Sequence, residues 1–172
     1  MWRSLAGSAL ALVLLGIFAP VSGQKRITPP DPDVLSFACQ RMGALGVGIS
    51  EASLKAVLGE PHRKLPQPNN ATAYVYFLGK TGEFPYLAAI VKANRAVALQ
   101  ISGEAPVAAY SFNRVNLGDS TDKLMTQFGG PFHVGPSGLE KTELWTYEPW
   151  PFSFEVRQDR ITSIRISDPT VK

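Results

Sequence analysis

Two histidines are the side chains best suited to chemistry in this sequence. His62 and His133 follow two matched prolines, and paired histidines bind metal ions or serve as acid and base. Neither histidine belongs to an H-x-x-x-H motif, and no C-x-x-C motif is present. A G-x-S-x-G elbow and a phosphate-binding loop are missing as well. The sequence therefore predicts a protein that is not an enzyme and that carries no metal or cofactor.

Cys39 is the single cysteine, so the chain cannot close an internal disulfide. Free cysteine is among the most buried residue types, which favours a buried thiol on a helix. An intermolecular disulfide and a reactive thiol are the alternatives.

The charge of the chain is nearly balanced. It carries 17 basic and 14 acidic side chains, and its Lys and Arg residues are not clustered. Nucleic-acid binding needs a concentrated basic patch. We therefore expect no nucleic-acid partner.

The first 23 residues are predicted to be a signal peptide. Arg3 precedes an uncharged apolar core over residues 5–19, and residues 21–23 (VSG) offer small side chains at a cleavage site. The apolar core is shorter than the roughly 20 residues that a membrane span needs. A cleaved leader predicts a periplasmic or secreted protein, and an uncleaved inner-membrane anchor is the alternative. Residues 24–33 hold three prolines and are predicted to be a linker.

The remainder of the chain contains an internal duplication. Gly48, Ser50, Leu54, Gly59 and Pro61 align without a gap on Gly118, Ser120, Leu124, Gly129 and Pro131, and Tyr74, Tyr76, Arg95, Leu99 and Ile101 align on Trp145, Tyr147, Arg160, Ile164 and Ile166. Repeats of this kind indicate a duplicated structural unit. The expected units are residues 34–103 and 104–172.

Each unit is expected to hold two helices followed by three strands. In the first unit, residues 34–44 are predicted to form a helix, and Ser50 caps a second helix that Gly59 and Pro61 end. In the second unit, residues 105–113 open a helix, and Asp119 or Ser120 caps the next. The predicted strands are residues 72–78, 86–92, 96–102, 143–147, 151–158 and 161–167. The predicted fold class is therefore α+β, with two tandem α-α-β-β-β repeats whose helices pack on small antiparallel sheets.

The second unit resembles the SmpA/OmlA (BamE-like) domain of small lipoproteins in outer-membrane β-barrel assembly. The resemblance rests on residues 112–120 (FNRVNLGDS) and 128–131 (FGGP), on Trp145-x-Tyr147 and Phe152-x-Phe154, and on residues 160–164 (RITSI). Two such units in tandem are similar to the β-lactamase inhibitory protein and its relatives. The lipidated cysteine of the lipoproteins and the disulfides of the inhibitors are absent here. The resemblance implies a non-catalytic binding module of the envelope or the exterior.

Strand alternation predicts which sheet faces contact a partner. In the first unit both faces are apolar, so the face that carries Val75, Phe77, Tyr86 and Ile90 is a hypothetical partner-binding surface. The alternative is that the second unit or residues 106–112 cover this face. In the second unit Arg157 and Arg165 project outward, towards an anionic partner, a lipid head group or solvent.

The predicted function is an exported, monomeric, non-enzymatic protein-binding module of the bacterial cell envelope, linked to outer-membrane protein assembly or envelope integrity. One alternative is an inhibitor of a secreted or periplasmic enzyme such as a β-lactamase. A second alternative is a carrier of lipid or another apolar ligand between the two sheets.

Overall fold

The computed structural model describes residues 40–80 and 82–171. The predicted signal peptide, the linker, Cys39 and residues 34–39 of the first predicted helix lie outside these residues. In the first half the elements are β1 (Arg41–Met42), β2 (Leu45–Gly46), α1 (Glu51–Leu58), β3 (Arg63–Gln67), β4 (Ala71–Phe77), β5 (Tyr86–Lys92) and β6 (Arg95–Ser102). After a 3-10 turn at Ala108–Tyr110, the second half holds α2 (Thr121–Phe128), β7 (His133–Pro136), β8 (Thr142–Thr146), β9 (Phe152–Arg157) and β10 (Arg160–Ser167).

The caps of both helices are confirmed. The Ser50 hydroxyl accepts a hydrogen bond from the Ser53 amide at 3.0 Å, and the Ser120 hydroxyl accepts one from the Lys123 amide at 3.3 Å. These bonds satisfy backbone donors that the first helical turn leaves unpaired. Gly59 and Gly129 end the helices with a φ of 78° each, a conformation that glycine adopts without steric cost.

The predicted fold class is wrong in its sheet arrangement. The two halves share one antiparallel sheet of eight strands in the order β3-β4-β5-β6-β10-β9-β8-β7. The last strand of each half pairs with the other, with Leu99 opposite Ile166 and Ile101 opposite Ile164. An apolar strand left at the edge of a four-stranded sheet would expose unpaired backbone groups, and this pairing removes that edge from both halves.

The first predicted helix of each half is also wrong, as far as the described residues reach. Residues 41–46 form the β1–β2 hairpin, and residues 105–113 contain the short 3-10 turn alone. At the hairpin turn, Gly43 has a φ of 59°, and its amide donates to the Ser111 carbonyl at 3.0 Å. Asn113 and Arg114 have positive φ angles of 47° and 70°, which a right-handed helix cannot accommodate.

The six predicted strands are confirmed to within one or two residues, but two further strands were missed. These are β3 and β7, the two outermost strands of the sheet. All five residues of β3 are exposed, so its sequence lacks the alternation of a half-buried strand. Pro66 and Pro136 also argue against strands, although proline is tolerated at a sheet edge.

The contacts of the two halves repeat, as the sequence duplication predicts. The Gly48 amide donates to the Ala96 carbonyl at 2.7 Å, and the equivalent Gly118 amide donates to the Ile161 carbonyl at 2.8 Å. Ser50 likewise bridges to Arg95 and Ser120 to Arg160. In each half, therefore, the residues that start the helix are hydrogen-bonded to the first residues of the last strand.

One hydrophobic core lies on a single face of the sheet. On the sheet it contains Tyr74, Tyr76, Leu87, Ala89, Val91, Leu99 and Ile101 from the first half, and Tyr147, Phe152, Phe154, Val156, Ile164 and Ile166 from the second. Leu54 of α1, Leu124 of α2, Met42 and Leu45 of the hairpin, and Phe112 cover this face and are fully buried. The predicted core face of both halves is therefore confirmed. Within residues 40–80 and 82–171, no helix has the length and apolar character needed to cross a membrane.

Candidate functional site

The sheet face opposite the helices, here called the outer face, contains the predicted partner-binding residues. One cross-strand row runs through all eight strands on this face, namely Arg63, Val75, Ala88, Gln100, Arg165, Ser153, Thr146 and His133. Gln100 and Arg165 are equivalent residues of the two halves and pair with each other. The local twofold relation between the halves therefore passes between these two residues.

The two halves of the outer face differ in chemistry although their core faces match. The apolar half consists of Leu65, Ala73, Val75, Phe77, Tyr86, Ala88, Ile90 and Ala98. The polar half consists of Leu144, Thr146, Ser153, Glu155, Arg157, Ser163, Arg165 and Ser167. Thr146 and Ser153 occupy the positions of Val75 and Ala88 in the row. The duplication has kept the core apolar in both copies, whereas the outer face has two different surfaces.

The structure brings the four predicted apolar residues together on β4 and β5. Phe77 lies opposite Tyr86, and Val75 and Ile90 lie opposite Ala88 and Ala73. Phe77, Tyr86 and Ile90 are half-buried, while Val75 is 8% exposed. None of these side chains belongs to the hydrophobic core under the helices. They form an apolar layer of their own.

The second unit and residues 106–112, which the sequence analysis named as possible covers, do not lie over this apolar half. The second unit continues the sheet sideways through the pairing of β6 with β10. Residues 106–112 run on the helix side, because Phe112 is part of the core and the Ser111 carbonyl accepts from Gly43. The described part of the second half is therefore a neighbour of the apolar half within one sheet.

His62 extends the apolar half beyond the predicted residues. Its imidazole Nδ1 accepts a hydrogen bond from the Phe77 amide at 3.2 Å, and the two rings lie 5.0 Å apart. The Arg63 guanidinium lies 5.3 Å from the centre of the Phe77 ring and forms an ion pair with Glu83. The sequence offered no signal for these contacts.

A hydrogen-bonded polar cluster marks the centre of the outer face. The Gln100 amide donates to the Ser163 hydroxyl at 3.0 Å, and the Ser102 hydroxyl donates to Ser163 at 3.1 Å. Both serines are buried. Burial raises the pKa of the neighbouring Glu155 carboxyl, although the charge of Arg165 and a hydrogen bond with Ser163 act in the opposite direction.

The two predicted arginines have different environments. Arg157 is exposed at the end of β9 and forms an ion pair with Glu104. Arg165 is exposed at the centre of the sheet, opposite both Gln100 and Ser153. Arg165 forms no ion pair with any residue in the described part of the chain. Arg165 instead lies beside the half-buried Glu155 carboxyl, and its charge lowers the pKa of that group.

The two histidines cannot act as a pair. His62 precedes the edge strand β3, and His133 begins the opposite edge strand β7. Seven strand spacings of about 4.8 Å place them roughly 30 Å apart. Among residues 40–80 and 82–171, no group of three or more His, Cys, Asp or Glu side chains could hold a metal ion.

No protein-family model and no curated protein matches this chain. The resemblance to the SmpA/OmlA domain therefore receives no support from known families.

Two solved structures with a similar fold come from Bacillus species. An extracellular protein containing an SCP domain from Bacillus anthracis str. Ames has a TM-score of 0.50 and 13% identity, over 71% of this chain and 44% of that protein. The chain thus spans less than half of that protein's length. A DUF4309 family protein from Bacillus subtilis subsp. subtilis str. 168 has a TM-score of 0.50 and 16% identity, over 69% of this chain and 78% of that protein.

A third solved structure is a candidate β-lactamase inhibitor protein from Streptococcus mutans. It is 19% identical over 77% of this chain and 93% of that protein, but its TM-score of 0.29 is too low to carry an argument. The two Bacillus structures support a shared fold alone.

Proposed function

We propose that this protein is an exported, non-enzymatic binding module that docks the outer face of its sheet on a protein partner. The observation that carries the proposal is the apolar half of the outer face. Its side chains lie on the far side of the sheet from the helices and outside the core that the helices cover. Leu65 is exposed and Phe77, Tyr86 and Ile90 are half-buried, and apolar side chains that stay in contact with solvent at one place are typical of an interaction surface.

The exposed part of the patch is suited to binding. Phe77 and Tyr86 are aromatic and half-buried, and aromatic side chains are enriched at interfaces because they bring large contact areas. Fully burying one such side chain contributes about 1.5–3 kcal/mol, and a half-buried one about half of that. Three residues of this type would contribute a binding energy of several kcal/mol.

The sheet edges are poor alternatives to the outer face. A partner that adds a strand needs a free row of backbone donors and acceptors at an edge. The edge strand β3 carries Arg63, Lys64 and Pro66, and β7 contains Pro136. Charges and prolines are the features that block strand addition. The face is therefore the favoured docking surface.

Export is proposed from the predicted signal peptide and places the protein in the periplasm or outside the cell. The description of the Bacillus anthracis neighbour as extracellular is consistent with this location. An uncleaved leader that anchors the chain in the inner membrane is the alternative. A role in outer-membrane assembly rests on the resemblance of the second unit alone and is not included in the proposal.

The non-enzymatic part of the proposal rests on geometry. The two histidines lie at opposite sheet edges, and the half-buried acid Glu155 is surrounded by serine hydroxyls and Arg165. A catalytic site needs an acid, base or nucleophile within hydrogen-bond reach of a common substrate position. The carrier alternative put its ligand between the sheets of the two units. The described strands instead form one eight-stranded sheet and a two-stranded hairpin, which does not favour that arrangement.

Site-specific photo-crosslinking tests the proposal in the source cell. A photo-reactive phenylalanine analogue at position 77 should crosslink one protein partner, whereas the same analogue at position 57 on the helix side should not. Val57 is a matched control because it is apolar and 59% exposed. The crosslinked partner is identified by mass spectrometry and purified.

Titration calorimetry then measures the affinity of the purified partner. The variant F77S/I90T should weaken binding at least tenfold, since it removes the contact area of two half-buried side chains. The control V57S/M125S, on the helix side, should bind as the wild type does. Equal crosslinking from both positions, or unchanged affinity of a folded F77S/I90T variant, would contradict docking on the outer face. A β-lactamase is included as a second titrant, which tests the inhibitor alternative.

A further inference from the structure

The polar half of the outer face ends in an open cleft of about 880 Å³. The β8–β9 turn and the segment after β10 form its sides. The cleft is lined by Phe132, Thr146, Glu148, Pro149, Trp150, Pro151, Phe152, Ser153, Arg165, Ser167, Asp168, Pro169 and Val171. Its size is within the range of clefts that bind small molecules.

The floor of the cleft is polar. Thr146 lies opposite Ser153, and Ser153 lies opposite Arg165, so the three side chains form one row across β8, β9 and β10. The floor thus offers two hydroxyl groups beside one guanidinium.

The walls of the cleft are apolar. Phe132 is 66% exposed, an unusual state for a large aromatic side chain. Trp150 and the prolines at positions 149, 151 and 169 complete the walls. A wall of this composition favours a ligand with an apolar body.

One basic and two acidic side chains line the cleft. Asp168 already accepts hydrogen bonds from the Thr170 amide at 2.9 Å and hydroxyl at 2.6 Å, and it lies 3.8 Å from the Arg95 guanidinium. Glu148 is exposed in the β8–β9 turn. Arg165 is the single basic side chain among the described residues that line the cleft, and it lies beside the half-buried Glu155 carboxyl, whose pKa burial raises although the charge of Arg165 acts in the opposite direction.

The geometry points to a binding site for a small carboxylic acid with an apolar body. The carboxylate accepts hydrogen bonds from the Arg165 guanidinium and from the Ser153 hydroxyl, and the body packs on Trp150 and Phe132. Arginine matches a carboxylate because its planar fork donates two parallel hydrogen bonds. This site is independent of the partner-binding apolar half, so either proposal can fail without the other.

Nuclear magnetic resonance titration of the exported protein tests the site with three probes of one shape. These probes are 3-phenylpropionate, its neutral amide 3-phenylpropanamide, and the cation 2-phenylethylamine. The anion should shift the indole N–H signal of Trp150 and leave that of Trp145, which donates to Glu143 at 2.9 Å outside the cleft, in place. The amide and the amine should bind at least tenfold more weakly than the anion, since charge-assisted hydrogen bonds are the strong ones.

Two variants separate Arg165 from general positive charge. R165Q should weaken binding of 3-phenylpropionate at least tenfold, whereas R157Q, which removes an exposed arginine outside the cleft, should not change it. R165K keeps the charge without the fork and should bind with an intermediate affinity, so it serves as the test if R165Q is poorly folded. Equal binding of the amine and the acid, wild-type affinity in folded R165Q or R165K, or a shift of the Trp145 signal alone would overturn the proposal.

Discussion

Leu99 and Ile164 are equivalent core residues of the two halves, and alanine at either position tests whether the eight-stranded sheet unfolds as one unit. Both side chains are fully buried in β6 and β10, the two strands that join the halves. Truncation of a buried Leu or Ile to Ala lowers the free energy of unfolding by about 2–5 kcal/mol. If one core stabilises the whole sheet, both variants should lose stability in the same range.

Urea unfolding followed by tryptophan fluorescence measures this loss. Trp145 and Trp150 both lie in the second half, and the described part of the first half contains no tryptophan. If the sheet unfolds as one unit, L99A in the first half still shifts the unfolding transition that the tryptophans of the second half report, because the second half cannot stay folded once the first half has unfolded. With a urea dependence of about 1–3 kcal/mol per M, a loss of 3 kcal/mol moves the midpoint by roughly 1–3 M.

A substitution on the protein surface is the control for this test. Q127A, on the exposed side of α2, should change the free energy of unfolding by about 0.5 kcal/mol at most. If L99A leaves the tryptophan transition unchanged while I164A shifts it, the halves unfold independently. In that case the pairing of β6 with β10 does not couple them.

Two further predictions concern the hairpin and the centre of the outer face. G43A should lower the free energy of unfolding by about 2 kcal/mol or more in urea titration, because Gly43 has a φ of 59° and a Cβ there would lie 1.8 Å from the Ala109 carbonyl oxygen. The control G48A, at a glycine with a φ of 88° and open space around it, should lower the free energy of unfolding by less. Equal losses in the two variants would contradict a steric role for Gly43. Burial raises the folded-state pKa of Glu155, so the wild type loses stability as the pH rises above 4.5 and the buried carboxyl ionises. The neutral side chain of E155Q does not ionise, so the stability of E155Q relative to the wild type should increase over the same pH range. A stability difference between E155Q and the wild type that does not change from pH 4 to pH 8 would show that the burial of Glu155 has no effect on its ionisation.

Local signals in the sequence predicted α1 and α2 well. Ser50 and Ser120 cap α1 and α2, and Gly59 and Gly129 end them, since capping depends on side-chain hydroxyls and backbone angles within a few residues. The six central strands followed from their apolar residues, which alternate with polar ones in the second half and run almost continuously in the first. The exposed edge strands β3 and β7 escaped prediction because no buried face imposes a pattern on them.

Contacts between distant residues defeated the prediction of two helices. Met42 and Leu45 are fully buried by the core while the turn at Gly43 is held by Ser111, which lies far along the chain. A short apolar segment such as residues 41–46 suits a helix or a strand equally well until its neighbours are known. The packing against residues 109–112 decides between the two.

The candidate site was predicted in part. The apolar face of β4 and β5 followed from strand alternation, because side chains at every second position must share a face. The cleft around Arg165 could not be predicted, since it needs the β8–β9 turn and the segment after β10 to lie beside the same three strands.

By itself the sequence determined that the chain contains an internal repeat, where α1 and α2 start and end, and which residues of each strand share a face. These properties are local, because they depend on neighbouring residues and on the periods of helices and strands. Only the tertiary structure decided that the halves share one sheet. Gln100 and Arg165 lie opposite each other because β6 and β10 would each be an unpaired edge strand in a separate half. The pairing of two such distant strands does not change the local residue pattern of either one, so the sequence pattern cannot predict it.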